Sequence, residues 1–108
     1  MNVPDIDISP EQWEIVQNIL RKHAPQCEVW AFGSRAKKSA RKYSDLDLVI
    51  VSEIPLGIAA LAVLSEDFSE SDLPWKVDVV DWSSTTENFR RIMASEKVEV
   101  QQASAENA

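Results

Sequence analysis

Two segments decide how this chain of 108 residues folds: Gly33-Ser34-Arg35 and Ser44-Asp45-Leu46-Asp47-Leu48-Val49-Ile50. The apolar residues Val29-Trp30-Ala31-Phe32 precede the glycine, and the second apolar run continues to Val51. Short apolar runs bounded by turn residues are typical of strands that are buried on both faces. The sequence therefore predicts two strands, with a sharp turn after the first and a pair of aspartates at the start of the second.

The two aspartates are expected to act together. Side chains alternate along a strand, so Asp45 and Asp47 project from the same face. Two carboxylates held this close repel each other and are costly to desolvate unless a cation lies between them. A hard divalent ion with oxygen ligands, Mg²⁺ in a cell, meets that requirement. We therefore expect a metal site at Asp45 and Asp47.

The Gly33-Ser34 turn, which is followed by a basic connector from Ala36 to Lys42, has the properties of a phosphate-binding turn. Gly33 lets the backbone turn sharply and lets a ligand approach closely, while Ser34 offers a hydroxyl and a backbone N–H. Arg35 adjoins the turn, and a guanidinium can bind two phosphate oxygens at once. We expect a triphosphate to lie between this turn and metal ions on the aspartates, which would neutralise its charge and align an in-line displacement.

These residues resemble the nucleotidyltransferase superfamily of polymerase-beta-like proteins, and most closely its minimal nucleotidyltransferases, the MNT proteins. That group commonly has Gly-Ser-Arg-Ala followed by Ser-Asp-Leu-Asp-Leu, found here at Gly33 to Ala36 and at Ser44 to Leu48. The resemblance extends roughly from Ser9 to Val100. It implies an α/β fold of the α+β type, with a mixed sheet of three to four strands and helices packed against it. Relatives often have glycine where Lys38 stands, so the shape of the connector is left open.

The superfamily pattern includes a third acid on a later strand, which is either Asp78 or Asp81 here. Asp78 lies inside the apolar run Lys76-Val77-Asp78-Val79-Val80, where an uncompensated carboxylate would be expensive, whereas Asp81 at the strand end can be solvated. We choose Asp78. By resemblance it helps to hold one metal ion and acts as base toward the incoming hydroxyl.

The resemblance also implies a reaction and a partner. It implies transfer of AMP from ATP, with two Mg²⁺ ions, to a hydroxyl of a HEPN-domain RNase toxin, most simply a tyrosine, so that this chain is the antitoxin in a hetero-oligomer. Asp45, Asp47 and Asp78 are then the catalytic residues and metal ligands, and Gly33, Ser34 and Arg35 bind the triphosphate. The alternative is a non-catalytic nucleotide-binding antitoxin or scaffold that neutralises its partner by complex formation. Adenylylation of a small molecule and nucleotide addition to RNA are weaker alternatives.

Length and charge limit the function further. We expect one minimal nucleotidyltransferase domain over residues 1–100 and a disordered tail over 101–108. A domain of this size is small for an enzyme with two substrates, so a second chain is expected to complete the acceptor site. The net charge of −7 argues against direct nucleic-acid or membrane-surface binding. Cys27 is the only cysteine, which suits a reducing cytoplasm. No basic leader opens the chain and no run approaches the roughly 20 apolar residues that span a bilayer.

The remaining patterns predict a helix, strand, strand, helix, strand, helix order. Ser9, Pro10 and Gln12 predict a capping box at the start of the first helix, and Ser84-Thr85-Thr86-Glu87 offers a second one. The predicted helices extend from Pro10 to His23, from Pro55 and Leu56 to about Phe68, and beyond Glu87. The predicted strands are Glu28–Phe32, Leu46–Val51 and a third within Trp75–Trp82. The alternation in Lys97-Val98-Glu99-Val100 permits a short edge strand.

Overall fold

The computed structural model of the chain describes residues 3–52 and 56–103. They form a four-stranded mixed sheet, as expected, in the order β3-β2-β1-β4. The elements are α1 (Pro10–His23), β1 (Glu28–Phe32), α2 (Gly33–Ala36), β2 (Leu46–Val51), α3 (Ile58–Ser69), β3 (Val77–Asp81), a 3-10 turn (Trp82–Ser84), α4 (Glu87–Glu96) and β4 (Val98–Gln101). Strand β1 runs antiparallel to β2 and β4, whereas β2 and β3 are parallel.

The two faces of the sheet carry different hydrophobic clusters. Alternate residues of the central strands, such as Leu48 and Ile50, are fully buried in a large cluster with residues of α1 and α3, including Leu20 and Leu64. The other face carries a smaller cluster, and its buried members are Trp30, Phe32, Val49 and Met93. Because β1 and β2 are buried on both faces, they read as continuous apolar runs in the sequence.

The capping box predicted for α1 is confirmed. The Ser9 hydroxyl accepts a hydrogen bond from the Gln12 backbone N–H at 3.1 Å, and the Gln12 side chain accepts one from the Ser9 backbone N–H at 3.0 Å. The helix ends before Pro25, at His23. The His23 imidazole forms a 2.7 Å hydrogen bond with Asp67, and this bond joins α1 to α3.

The second predicted capping box is wrong. The residue that caps α4 is Thr86, whose hydroxyl accepts from the Phe89 backbone N–H at 3.2 Å. Ser84 cannot serve, because it belongs to the 3-10 turn and its hydroxyl donates to the Asp81 carbonyl. Glu87, expected to complete the box, instead pairs with Arg91 at 3.1 Å.

The edge strand near the C-terminal end of the chain is confirmed, and β4 includes Gln101, which the sequence had assigned to the tail. Its side-chain amide donates to the carbonyls of Ala24 and Cys27, both at 2.8 Å. These bonds hold the end of β4 against the turn between α1 and β1. Residues 104–108 of the predicted tail and Pro55, expected at the start of α3, lie outside the described residues; α3 itself begins at Ile58. In the two described ranges no helix has the length and apolar character needed to cross a membrane.

The connector between β1 and β2 contains a strained position. Lys38 has a φ of 61°, and it is the only non-glycine residue with positive φ in the described part of the chain. An L-residue in this region brings its Cβ close to the backbone, which explains why glycine suits the position. The side chain of Lys38 forms an ion pair with Asp5 on the surface.

A Lys38→Gly variant is expected to be more stable than the wild type by about 1 kcal/mol, because glycine adopts this φ without steric cost. The exposed ion pair with Asp5 contributes little to offset that gain. Urea denaturation measures the difference. Lys42→Gly is the control at a position without positive φ, and it should lose about 0.5–1 kcal/mol; an equal loss in Lys38→Gly would contradict the argument.

Candidate active site

The strand register brings the predicted acids to one corner of the sheet. Asp47 on β2 is the direct neighbour of Asp78 on β3, and Asp47 also faces Phe32, the last residue of β1. Asp45 immediately precedes β2, so it lies at the same end of the sheet. The C-terminal end of β1 and the N-terminal ends of β2 and β3 therefore meet where the Gly33 turn begins. The sequence predicted Asp45 and Asp47 as a pair and Asp78 as the third acid. The parallel pairing of β2 with β3 brings Asp78 beside Asp47.

The environment of Asp47 disfavours its charge. Partial burial, followed by the charges of Asp78, Asp45 and Glu96, raises the pKa of Asp47 from 3.8 to about 6. Asp45 and Asp78 are exposed. Within the described ranges no hydrogen bond or ion pair compensates these three carboxylates. A cation bound between them would relieve both the repulsion and the desolvation.

The donor set fits Mg²⁺, because this ion prefers carboxylate oxygens and keeps several waters in its shell. The three acids are not drawn into a closed cage: in residues 3–52 and 56–103 no group of three or more His, Cys, Asp or Glu residues is arranged closely enough to hold a metal ion. The corner therefore offers the right chemistry on an open face, where a nucleotide can supply the remaining ligands.

Gly33 is required at its position for two reasons. Its φ of +76° lies in the region that favours glycine. In addition, a Cβ at this position would overlap the Asp47 Oδ2 atom. The absence of a side chain at Gly33 thus makes the space in which the Asp47 carboxylate lies, and the turn and the acid are packed directly on each other.

Ser34 is the second residue of α2 and is partly exposed. Its backbone carbonyl accepts a hydrogen bond from the Ser39 N–H at 2.9 Å, which closes the turn. Its hydroxyl forms no hydrogen bond within the described part of the chain. The hydroxyl is therefore available to a ligand, as the sequence predicted for a phosphate-binding group.

Arg35 is engaged within the protein rather than facing the open corner. It is 5% exposed, and its guanidinium carbon lies 4.2 Å from the centre of the Trp75 ring. The guanidinium donates, at 2.8–3.4 Å, to the backbone carbonyls of Asp7, Arg41, Lys42 and Ser44. Because these bonds use its Nε and both Nη atoms, the two-oxygen phosphate contact predicted for Arg35 does not fit this structure. The residue instead positions the loop that leads into Asp45.

The solvent exposure of the two candidates for the third acid is the reverse of what the sequence predicted. Asp78 is exposed, whereas Asp81 is 6% exposed. The Asp81 carboxylate accepts hydrogen bonds from the Leu56 N–H at 3.0 Å and from the backbone and hydroxyl of Ser83 at 3.2 and 3.0 Å. Asp81 is thus a satisfied structural group that shapes the turn after β3. The geometry favours Asp78 as the third acid, because it is open to solvent and adjacent to Asp47.

Sequence reasoning missed Glu96, the last residue of α4. Its Oε1 atom accepts a hydrogen bond from the Gly33 backbone N–H at 3.0 Å, and its Oε2 atom lies 3.3 Å from the Lys37 ammonium. One signal was present in the sequence: an acidic residue at the C-terminal end of a helix is disfavoured by the helix dipole, which indicates that another contact holds it.

Comparison with known proteins connects this corner to a family. The sequence pattern described as "Nucleotidyltransferase domain" matches residues 13–103. A Haemophilus influenzae protein named "Probable protein adenylyltransferase MntA" is 53% identical over 97 residues, which are 90% of this chain and 85% of that protein.

Two solved structures share the fold. A crystal structure of a toxin–antitoxin with AMP-PNP superposes with a TM-score of 0.72 at 21% identity, over 84% of this chain and 73% of the other. A complex of tri-AMPylated Shewanella oneidensis HEPN toxin with MNT antitoxin gives a TM-score of 0.65 at 20% identity, over 84% and 70% of the two chains. The fold expected from the sequence and its resemblance to the MNT group are thereby confirmed.

Gly33→Ala should destabilise the protein more in the wild-type background than in an Asp47→Ala background. Gly33 has a φ of +76°, so the variant carries a backbone cost of about 1–2 kcal/mol in both backgrounds, and the overlap of its Cβ with Asp47 adds to that cost only where the aspartate is present. Free energies of unfolding in urea measure both costs. Gly57→Ala, whose Cβ meets open space, is the control and should cost the same in both backgrounds. Equal costs of Gly33→Ala in the two backgrounds would show that the turn and the acid are not packed together.

Asp47→Asn should be more stable than the wild type at high pH in the absence of divalent ions. A carboxyl group whose pKa is raised on folding contributes stability below its unfolded value of 3.8, and that contribution is lost as the pH rises through about 6. The advantage of the variant should therefore be about 1–3 kcal/mol at pH 8 and should disappear near pH 4. Urea denaturation across this range tests it, with Asp72→Asn in the exposed turn before β3 as control. A less stable Asp47→Asn at pH 8 would contradict the electrostatic argument.

Proposed function

This chain belongs to the nucleotidyltransferase domain family, and from that premise we propose that it transfers AMP from ATP, with Mg²⁺, to a hydroxyl group of a HEPN-domain toxin and thereby acts as its antitoxin. The observation that carries the proposal is the pairing of Asp47 with Asp78 directly beside the Gly33 turn. Carboxylates beside a glycine turn in one corner support a site in which metal ions and phosphates are bound together. The names of the related proteins support the choice of AMP and of a protein acceptor.

The triphosphate is bound by the turn at the end of β1. The backbone N–H of Gly33 and the free hydroxyl of Ser34 donate to phosphate oxygens. Arg35 does not contact the phosphates but holds the loop before Asp45 in place. Asp45, Asp47 and Asp78 hold the Mg²⁺ ions; when bound, these ions neutralise charge on the triphosphate and on the departing pyrophosphate. Asp47 ligates metal in its ionised form, so its pKa of about 6 couples metal binding to pH.

The transfer step is an in-line displacement at the α-phosphorus. The acceptor oxygen forms a bond to that phosphorus while the bond to the oxygen bridging the α- and β-phosphates breaks, and pyrophosphate leaves with the electron pair. The acceptor proton passes to the Asp78 carboxylate, which is exposed and therefore reachable from outside. The acceptor is proposed to be a tyrosine, whose long side chain suits delivery from a partner's surface.

The openness of the corner explains why a partner is needed. Asp45 and Asp78 are exposed, and the connector that carries Lys37 and Lys42 is exposed beside them. An acceptor docked on this side closes the site and excludes water, which the exposed acids of this corner do not achieve by themselves. The proposed active complex is therefore a hetero-oligomer in which the partner contributes the hydroxyl.

Intact mass of the HEPN-domain partner, after incubation with this chain, ATP and Mg²⁺, is expected to rise by one or more AMP groups. An Asp45→Asn/Asp47→Asn double variant should give no gain, and Asp78→Asn should be slower by about 100-fold or more, because it loses a metal ligand and the proton acceptor. Asp72→Asn, the same substitution in an exposed turn, should act like the wild type.

The result separates transfer from simple binding. If the partner gains no mass but still forms a stable complex with this chain, neutralisation rests on binding alone and the catalytic proposal is wrong. If Asp78→Asn retains full activity, the assignment of the third acid is wrong while the transfer reaction stands.

A further inference from the structure

The carboxylate of Glu96 lies at a place suited to a phosphate oxygen. It accepts the Gly33 N–H at 3.0 Å through one oxygen and lies 3.3 Å from the Lys37 ammonium through the other. A backbone N–H in a glycine turn and a lysine ammonium are the two kinds of donor that recur in phosphate sites. Any anionic oxygen in this place meets both of them.

The surroundings of Glu96 are electrostatically unfavourable for a carboxylate whose role is only structural. Glu96 ends α4, where the helix dipole repels a negative charge. It is also close enough to Asp47 to add to the repulsion at that carboxyl group. Its side chain is 21% exposed and can therefore move toward solvent when another anion takes its place.

Lys37 is better placed than Arg35 to serve the triphosphate. The Lys37 side chain is 52% exposed, and its ion pair is with Glu96. The guanidinium of Arg35, by contrast, is buried among four backbone carbonyls. The exposed ammonium of Lys37 lies on a flexible side chain and can exchange one anion for another. The buried guanidinium of Arg35 already donates to backbone carbonyls and cannot.

We propose that Glu96 occupies, in the nucleotide-free protein, the position that a phosphate oxygen of ATP takes on binding, and that Lys37 is the basic side chain of the triphosphate site. This inference rests on the proposed function. Binding of ATP transfers the Gly33 N–H and the Lys37 ammonium from the carboxylate to the phosphate, and the Glu96 side chain turns to solvent. Glu96 is then a built-in competitor that lowers nucleotide affinity.

The test is the dissociation constant of the full chain for AMP-PNP with Mg²⁺, measured by calorimetry. Glu96→Gln keeps an oxygen that can accept the Gly33 N–H but removes the charge, so it should bind about three- to tenfold more tightly. Lys37→Met should bind about three- to tenfold more weakly. Glu87→Gln at the start of α4 and Lys22→Met at the end of α1, where Lys22 lies near Asp67, remove the same charges away from the turn, and each should stay within about twofold of the wild type.

Each outcome supports or overturns the inference. Unchanged or weaker binding by Glu96→Gln overturns the competitor role, and unchanged binding by Lys37→Met overturns its role at the triphosphate. If Glu96→Gln does not fold, Glu96→Ala, which also removes the carboxylate from the Gly33 N–H, decides the competitor role by the same criterion. A wild type that binds no nucleotide removes the proposed function as well, whereas a wild type that transfers AMP while Glu96→Gln gains no affinity removes only this inference.

Discussion

Repulsion between carboxylates at the start of β2 and β3 is the constraint on which the site depends. The parallel pairing of these strands fixes Asp47 beside Asp78, and the large hydrophobic cluster beneath them holds that register. A one-residue slip of β2 would turn Asp47 toward the large cluster and bring Leu48 and Ile50 to the opposite face. The core therefore stabilises an arrangement of charges that is unfavourable in itself. A rigid scaffold that holds unfavourable charges together is typical of functional sites.

Arg35 and Gly33 show how a short motif can serve structure and chemistry at once. The glycine provides space for the Asp47 carboxylate, while the arginine two positions later ties the segment before α1, at Asp7, and the connector to the loop before Asp45. The stacking of Arg35 on Trp75 extends these contacts to the segment that enters β3. Three separate stretches of chain thus reach the corner in a fixed relation through two residues of one short turn.

Local patterns in the sequence predicted most of the fold, including the helices, the strands and the pair Asp45 and Asp47. They failed where a side chain's role depends on distant partners. Burial of Arg35 could not be predicted from its position in a turn typical of phosphate sites, and Asp81 was expected to be solvated because one of its donors comes from Leu56, 25 positions earlier. Glu96 escaped notice because its partner Gly33 lies 63 positions away in the chain. The pattern of apolar residues defines the scaffold, but the assignment of polar contacts requires the fold.

The hydrogen bonds from Gln101 to the turn between α1 and β1 have a consequence for engineering. They anchor β4, and the helix that ends at Glu96 leads directly into that strand. The position of Glu96, more than sixty residues from the glycine it contacts, is thus tied to the anchorage of a four-residue strand. Replacing this strand would therefore disturb the helix end that holds Glu96 beside Gly33 without changing any of the three aspartates.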